Sequence, residues 1–393
     1  MSTRGPMQIS SNGLVFYYDT FNNKSYKGQP TTNVAVNPLD LFAWCTSGAN
    51  AATLARDTST SLSPAGGIPM KMTTSGNDAY TNTYNNSAWN MSAASSGQTW
   101  TVSVWAKANR NITNTTCEIL ILEANSGGTY ITAQSVGIYP TTDWQRFSYT
   151  LTLYSAATAY IQVRLDGPNT YTAGDVVWWD GLQIEQKSYP TQFAAGTRTV
   201  TNGLVDLTEN YTVNLTNAGY DSNANITFNG SSNYITAYTI PDSFWNAGSW
   251  SVSVWIKFNS VSKGSDNAIF GHGTAAGSSG LHLAERSSVV YFGFYANDTA
   301  GTIPLAANKW YNIVWVFNYS TKLKQIYVNG VFDTSGGSVG YSGTGTNTEF
   351  GRYPWSTGNL TNSTISSIYG YNKVLTASEV LQNYNRTKSR FGL

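Results

Sequence analysis

The sequence predicts an all-β protein built from two β-sandwich or jelly-roll domains, with one short C-terminal helix. Glycine (36 residues), tyrosine (26) and tryptophan (13) are abundant. Aromatic side chains suit a pleated sheet and glycine suits tight turns. One strand pattern occurs twice, as TWTVSVWAKAN at 99–109 and SWSVSVWIKFN at 249–259. In both copies apolar and polar residues alternate, as in a strand with one face on a core.

The charge balance and the cysteines exclude several classes of protein. Lys and Arg total 22 against 21 Asp and Glu, a formal net charge of +1, which offers no field for nucleic acid or an anionic membrane. A membrane-spanning helix needs about 18 consecutive apolar residues, and the sequence contains no such run. The opening MSTRGPMQISSNG lacks the pattern of a secretory signal. Cys45 and Cys117 could form at most one disulfide and stand in no metal-binding pattern.

The remaining elements follow in chain order. GLVFYYD at 13–19 reads as a buried strand, and residues 159–166 alternate as a half-buried strand. Asn329-Gly330 lies between two apolar runs and predicts a β-hairpin, because both residues tolerate positive φ. Thr376 and Glu379 form a capping-box pattern, which predicts a short helix running to about Tyr384.

The domain boundary is not a simple halfway division. GLVDL at 203–207 resembles the opening strand and follows a linker-like stretch at 194–202. We therefore expect the first domain, residues 31–196, to be inserted after the opening strand of a second domain made of residues 13–30 plus 197–393. Residues 1–12 form a polar N-terminal arm, which either frays or docks on a neighbouring subunit.

The second domain resembles the laminin-G-like, concanavalin-A-like sandwiches. The segments that carry the resemblance are FNGSSNYI at 228–235, SWSVSVWIKF, KWYNIVWVF, IYVNGV and YGYNKVLTASEVLQNY at 369–384. Residues 31–195 resemble the jelly roll of carbohydrate-binding modules, through TWTVSVWAKAN, DWQRFSYTLTL and VVWWDGLQIEQ. That second resemblance implies a structural calcium ion held by Asp180, for which Asp40 is the nearest additional carboxylate.

The opening segment GLVFYYDTFNNKSYKGQPTTN and the tail LQNYNRTKSRFGL resemble structural proteins of tailed bacteriophages. This resemblance implies a virion protein exposed on the particle, as a head decoration, head fibre or tail-fibre component. Its expected partners are other virion proteins of the capsid or tail and further copies of itself.

A catalytic constellation is not expected. Glu118 and Glu123 are the closest acidic pair in an apolar run, but their spacing puts them on opposite strand faces, so both read as surface charges. His272 and His282 stand in Gly/Ser-rich surroundings without a carboxylate at useful spacing, and we expect them to be structural or solvent-facing. A cleft with facing carboxylates would contradict this interpretation.

Two aromatic clusters are candidate carbohydrate-binding sites, because a pyranose ring stacks on an aromatic plane flanked by polar groups. One consists of Tyr80, Tyr84 and Trp89, and the other of Arg352, Tyr353 and Trp355. Burial in a core or an interface is the alternative for both clusters. The tryptophans of the strand patterns are expected in cores: Trp100, Trp105, Trp144, Trp250, Trp255 and Trp310.

The sequence therefore favours a non-enzymatic phage virion surface protein that contacts host-surface glycans. The alternative is a secreted carbohydrate-binding protein, or the non-catalytic module of a glycosidase.

Overall fold

A computed structural model describes residues 9–44, 49–59, 63–77, 79–81, 92–113, 116–170, 172, 174–222, 225–237, 239–261, 264–337, 339–345 and 347–393. Strands make up 45% of the structure and helices 7%, which confirms the all-β prediction. The chain forms two compact units. The inserted unit is Thr31–Arg198, and the divided unit combines the residues up to Pro30 with Thr199–Leu393. Strand β1 (Leu14–Asp19) opens the divided unit.

The inserted unit is a β-sandwich. Its five-stranded sheet has the order β11-β8-β13-β5-β4, and its six-stranded sheet has the order β10-β9-β12-β6-β3 with β7 also on β12. A short helix, α1 (Leu41–Trp44), precedes β3. The strands are β2 (Thr31–Thr32), β3 (Ala49–Asn50), β4 (Ala52–Arg56), β5 (Met70–Thr74), β6 (Tyr80–Thr81), β7 (Ser92–Ala93), β8 (Thr99–Ala108), β9 (Cys117–Ala124), β10 (Tyr130–Ile138), β11 (Gln145–Thr152), β12 (Tyr160–Asp166), β13 (Val176–Glu185) and β14 (Thr197–Arg198).

The divided unit is a β-sandwich of two larger sheets. One sheet runs β16-β17-β28-β19-β24-β25-β26 with β1 also on β28, and the other runs β15-β18-β27-β20-β21-β22-β23. Its helices are α2 (Asp242–Asn246) and α3 (Ala377–Thr387), the latter followed by a 3-10 turn at Lys388–Phe391. The strands are β15 (Val213–Asn214), β16 (Gly219–Tyr220), β17 (Ile226–Asn229), β18 (Ile235–Ala237), β19 (Trp250–Phe258), β20 (Asn267–Gly273), β21 (Gly280–Arg286), β22 (Val289–Phe294), β23 (Asp298–Ala300), β24 (Trp310–Asn318), β25 (Leu323–Val328), β26 (Val331–Gly336), β27 (Thr348–Phe350) and β28 (Asn362–Tyr371).

Two local predictions are confirmed. Asn329 and Gly330 join β25 to β26 with φ values of 52° and 79°, as a two-residue hairpin requires. Thr376 caps α3 and Glu379 closes the capping box. The helix extends to Thr387, one turn beyond the expected end, and Thr387 donates a hydrogen bond to the Asn383 carbonyl oxygen at 2.8 Å.

The divided unit buries apolar side chains on both faces of its eight-stranded sheet. Trp250 and Trp315 belong to the core between the two sheets. On the opposite face Trp255 lies under α3, stacked on Phe391 with ring centroids 4.0 Å apart. Ile9 is buried in this second cluster, so the described end of the N-terminal arm packs on the unit instead of fraying.

Some sequence expectations need correction. Trp100, Trp250 and Trp255 lie in cores as expected, but Trp105, Trp144 and Trp310 are only half-buried. Trp105 lies on the face of β8 opposite the buried Val104 and Ala106. Trp144 precedes β11, and Trp310 packs at the edge of the cluster that contains Trp255.

Glu123 is buried instead of exposed, and its carboxylate accepts a hydrogen bond from the Thr158 hydroxyl. The same oxygen, Oε2, also accepts from the Ser155 backbone N–H at 3.3 Å.

Candidate functional site

A pocket of about 200 Å³ opens on the outer face of the seven-stranded sheet, away from the main core. We call it the aspartate pocket, because Asp266 and Asp298 both line it. It also receives side chains from β21 and from the turn that follows β27.

The pleat of β21 explains how charged residues reach this face. Leu281 and Leu283 point into the core, so the alternate residues His282 and Arg286 point outward. In the sheet register, His282 faces Gly293 of β22, and Gly293 in turn faces Asp298 of β23. Because Gly293 has no side chain, the His282 ring crosses over it, and its Nε2 lies 2.8 Å from Oδ1 of Asp298.

Arg286 joins the two aspartates. Its Nε and Nη2 atoms donate to the two oxygens of Asp266 at 2.6 and 2.8 Å. Its Nη1 atom donates to Oδ2 of Asp298 at 3.0 Å. The guanidinium also lies over the Tyr291 ring, 4.3 Å from the centroid. One cation therefore holds two carboxylates and an aromatic ring in fixed positions.

The electrostatics keep both aspartates ionised. Burial alone would raise the pKa of Asp298, but the hydrogen bonds and charges of His282 and Arg286 outweigh it and lower this pKa to about 2. Burial also opposes the shift of Asp266, yet hydrogen bonds from Arg286 and Tyr353 lower its pKa below the ordinary value. Both groups therefore act as hydrogen-bond acceptors at neutral pH.

Aromatic side chains form the walls of the aspartate pocket. Tyr353 is buried, and its hydroxyl donates to Oδ2 of Asp266 at 2.8 Å. Trp355 is half-buried and stacks on Tyr353, with centroids 5.3 Å apart and planes 15° apart. Tyr295 is 41% exposed on the other side. A side chain at Gly280 would press on both Tyr295 and Trp355, so glycine lets these two aromatic residues approach.

A buried lysine supports the turn that carries Tyr295 and Asp298. Lys324 of β25 is fully buried, and its Nζ donates to the backbone and side-chain oxygens of Asn297. Tyr295 and Ala296 in this turn have φ values of 42° and 60°, which are uncommon for residues other than glycine. The bonds from Lys324 help to hold the turn in this conformation.

The chemistry of the aspartate pocket suits binding better than glycoside hydrolysis. A glycosidase pairs a carboxylate with a carboxylic acid whose pKa is raised so that it can donate a proton. Here Arg286 bridges the two carboxylates and both pKa values are lowered. A pocket with two carboxylates was not expected from the sequence, and Asp266 and Asp298 correct that expectation. The ion pairs with Arg286 and the lowered pKa values nevertheless distinguish this pair from the carboxylic acid and carboxylate of a glycosidase.

The structure separates the members of the predicted Arg352 cluster. Tyr353 and Trp355 line the aspartate pocket. Arg352 forms two hydrogen bonds of 2.7 Å with Glu349 and lies over the Tyr234 ring, 3.6 Å from its centroid. Arg352 is therefore held by Glu349 and Tyr234, and its role in glycan binding stays a prediction.

The other predicted cluster is described only in part. Tyr84 and Trp89 lie outside the described residues. Tyr80 lies on β6, with the Arg164 guanidinium 4.3 Å from its ring centroid, and Arg164 also pairs with Asp166. The glycan-binding role of this cluster stays a prediction.

Asp180 is a buried hydrogen-bond acceptor. Its carboxylate accepts from the Ser63 hydroxyl at 2.5 Å and from the backbone N–H groups of Gly67 and Gly181 at 3.1 and 2.8 Å. Burial raises the pKa of Asp180, and these hydrogen bonds oppose the shift. Asp40, the other expected ligand, forms an ion pair with Arg56 at 3.0 Å.

This donor set does not favour a cation, because calcium would have to displace N–H and O–H donors from the carboxylate. Among the residues described, no group of three or more His, Cys, Asp or Glu side chains could hold a metal ion.

The histidines have carboxylate partners that the sequence spacing did not reveal. His272 is buried, with Nε2 2.9 Å from Asp242 and Nδ1 2.7 Å from the Tyr341 hydroxyl. It therefore has a structural role. His282 instead contributes to the aspartate pocket through Asp298.

Comparison with known families gives a match to part of the divided unit. Residues 229–381 match the family model described as the concanavalin A-like lectin/glucanases superfamily. This range contains every residue of the aspartate pocket. No curated protein matches the chain.

Solved structures with a detectable likeness include receptor-binding domains of botulinum neurotoxins. The domain of neurotoxin D is 17% identical with a TM-score of 0.37, covering 48% of this chain and 51% of that one. The type G domain is 16% identical with a TM-score of 0.37, covering 48% and 49%. This chain thus spans about half the length of each of these structures. In the described part of the chain, no helix is long and apolar enough to cross a membrane.

Proposed function

We propose that this protein is a non-enzymatic surface protein of a tailed-phage particle that binds host-surface glycans through the aspartate pocket. The observation that carries the glycan-binding part is the combination of aromatic walls with a fixed set of ionised and neutral polar groups in one pocket. The lectin fold of the divided unit supports the same assignment.

The aspartate pocket offers both kinds of contact that a sugar needs. Trp355 and Tyr295 provide surfaces for the apolar C–H face of a pyranose ring. Oδ1 of Asp266 and both oxygens of Asp298 each have one hydrogen-bond partner among Arg286 and His282, so each keeps a lone pair that can accept from a sugar hydroxyl. Asn359 lines the same pocket and can both donate and accept.

The absence of catalysis is part of the proposal. With Asp266 and Asp298 both ionised and joined by Arg286, the pocket has acceptors for sugar hydroxyls but no carboxylic acid for the glycosidic oxygen. We expect purified protein to bind a glycan and to release no reducing sugar from it over a long incubation. Release that is lost in Asp298→Asn would overturn the non-enzymatic assignment.

A glycan array followed by titration tests the binding site. Trp355→Ala should weaken binding of the selected glycan about tenfold, because it removes an aromatic plane, whereas Trp355→Phe should retain most of the affinity. Tyr139→Ala is a matched control, because Tyr139 is 52% exposed and lies in the inserted unit. Equal binding by Trp355→Ala and wild type would exclude the aspartate pocket as the site.

The virion location rests on the resemblance of residues 13–33 and 381–393 to structural proteins of tailed phages. Mass spectrometry of purified particles should detect the protein together with capsid or tail proteins. Immunogold labelling should then place it on the head or on the tail. Its absence from particles would favour a secreted carbohydrate-binding protein or a glycosidase module.

A further inference from the structure

A row of alternating aromatic and cationic side chains crosses the outer face of the five-stranded sheet in the inserted unit. In the sheet register, Lys107 of β8 faces Trp178 of β13, and Trp178 faces Lys71 of β5. Trp144 immediately precedes β11, the strand on the other side of β8. We call Lys71, Lys107, Trp144 and Trp178 the Trp-Lys row.

The sequence neighbours of the row show that it faces away from the core. On β8, Ala106 and Ala108 are buried in the core on either side of Lys107. Val177 and Trp179 of β13 and Met70 and Met72 of β5 are buried in the same way. Because side chains alternate along a strand, Lys107, Trp178 and Lys71 lie on the outer face, where all three are half-buried.

The ammonium group of Lys107 lies over two tryptophans. It is 5.1 Å from the ring centroid of Trp178 and 5.5 Å from that of Trp144. A hydrogen bond of 2.7 Å from Trp178 Nε1 to Oδ2 of Asp57 fixes the orientation of the Trp178 ring. A flat, oriented aromatic surface therefore carries a cation above it.

A polar row borders the Trp-Lys row. Val176 of β13 faces Thr73 of β5, which faces Thr53 of β4. The Asn109 backbone N–H donates to the Val176 carbonyl oxygen, and the Val176 N–H donates to the Asn109 side-chain oxygen, both at 3.0 Å. The hydroxyl groups of Thr73 and Thr53 thus lie beside the aromatic surface, as contacts for a polar ligand.

We propose that the Trp-Lys row binds acidic polysaccharide, a chain whose sugar residues carry carboxylate groups. A neutral sugar that stacked on Trp144 or Trp178 would have to move the Lys107 ammonium away without replacing its charge contact. A uronate places its own carboxylate against Lys107 or Lys71 while its ring lies on a tryptophan. The two lysines therefore select an acidic occupant over a neutral one.

The divided unit also contains a lysine beside a tryptophan, but other side chains cover that tryptophan. Lys257 lies 5.6 Å from the ring centroid of Trp310. There, however, Phe391 packs on Trp310 at 4.8 Å and Phe21 at 6.1 Å between centroids. The C-terminal segment covers this second tryptophan, so Lys257 provides a matched control with the same local chemistry.

Affinity electrophoresis of the full chain tests the proposal. Polygalacturonate in the gel should retard wild-type protein, whereas the neutral glucan pullulan should not. Lys107→Gln and Trp178→Ala should each raise the dissociation constant for polygalacturonate about tenfold, and added salt should weaken binding. Lys257→Gln should bind like wild type.

Several results would overturn the proposal. These are no retardation by polygalacturonate, equal retardation by pullulan, or a Lys107→Gln variant that binds like wild type. A loss in Lys107→Gln with full binding by Trp178→Ala would show a general polyanion surface without sugar stacking, which also contradicts it. Thermal melting verifies that each variant is folded. Trp178→Phe keeps an aromatic ring but loses the hydrogen bond to Asp57, so it separates the effect of the ring from the effect of that bond.

This site is independent of the proposed function. Trp355→Ala changes the aspartate pocket and should leave polygalacturonate binding unchanged, while Lys107→Gln should leave binding of the array-selected glycan unchanged. Either proposal can therefore be rejected while the other is retained.

Discussion

The ammonium group of Lys324 donates to the backbone oxygen of Asn297 at 2.5 Å and to its side-chain oxygen at 2.8 Å. Asn297 lies between Ala296 and Asp298 in the turn that borders the aspartate pocket. A charge buried under the sheet is thus tied to the loop that presents the binding groups, at the cost of desolvating an ammonium ion.

The charge of Lys324 should make stability depend on alkaline pH. Burial lowers the pKa of Lys324 to about 8, although the charge of Asp298 opposes the shift. The unfolded chain then holds more protons than the folded one between about pH 8 and its ordinary pKa, so stability rises with pH there. The free energy of unfolding of wild type, minus that of Lys324→Met, should increase over this window. A difference that stays constant from pH 7 to 10 would contradict the prediction.

Asp298 should give the opposite dependence in acid. Its folded pKa of about 2 lies below its ordinary value, so its stabilising contribution is complete above about pH 4 and is lost as the pH falls towards 2. The contribution is at most about 2.5 kcal/mol. Urea unfolding should show wild type and Asp298→Asn converging in stability as the pH falls from 5 to 2.5. An unchanged gap would show that the contacts of Asp298 with His282 and Arg286 do not depend on its charge.

Gly293→Ala should disrupt the aspartate pocket. A Cβ at this position would overlap the His282 ring and the Asp298 carboxylate, so the two groups must separate. We expect a loss of about 1–3 kcal/mol in unfolding free energy, together with weaker glycan binding. Gly248→Ala is the matched control, since a Cβ there meets open space. Wild-type binding by Gly293→Ala would show that the contact of His282 with Asp298 does not organise the pocket.

The capping box of α3 should contribute measurably to the stability of the divided unit. Thr376 Oγ1 accepts from the Glu379 N–H at 3.2 Å, and the helix covers Trp255 through Tyr384. Thr376→Ala should cost about 1 kcal/mol in urea unfolding, whereas Thr376→Ser retains the hydroxyl and should cost little. Equal losses in both variants would point to the methyl group of Thr376 instead of its hydroxyl.

Local chemistry made part of this structure predictable. Asn329-Gly330 and the spacing of Thr376 and Glu379 each specify a turn or a helix start within a few residues. The alternation in β8 likewise indicated which residues face a core, and the same alternation could have placed Trp105 and Lys107 on the outer face.

The aspartate pocket could not be predicted in the same way. Asp266, His282 and Asp298 lie on or beside neighbouring strands, so their contacts depend on strand register, which spacing along the chain does not reveal. His282 therefore had no apparent partner, although two tight turns bring it to Asp298. Only the aromatic pair Tyr353 and Trp355 carried a recognisable local signal.

The pairing of β1 with β28 sets an order of events during synthesis. These are the first and last of the described strands, so Phe16 stays without its sheet neighbour until Gly370 has left the ribosome. The inserted unit has all its strands by Arg198 and can fold while translation continues. During synthesis the apolar strand β1 therefore stays unpaired while the residues of a whole β-sandwich are added after it, which exposes β1 to non-native pairing over that time.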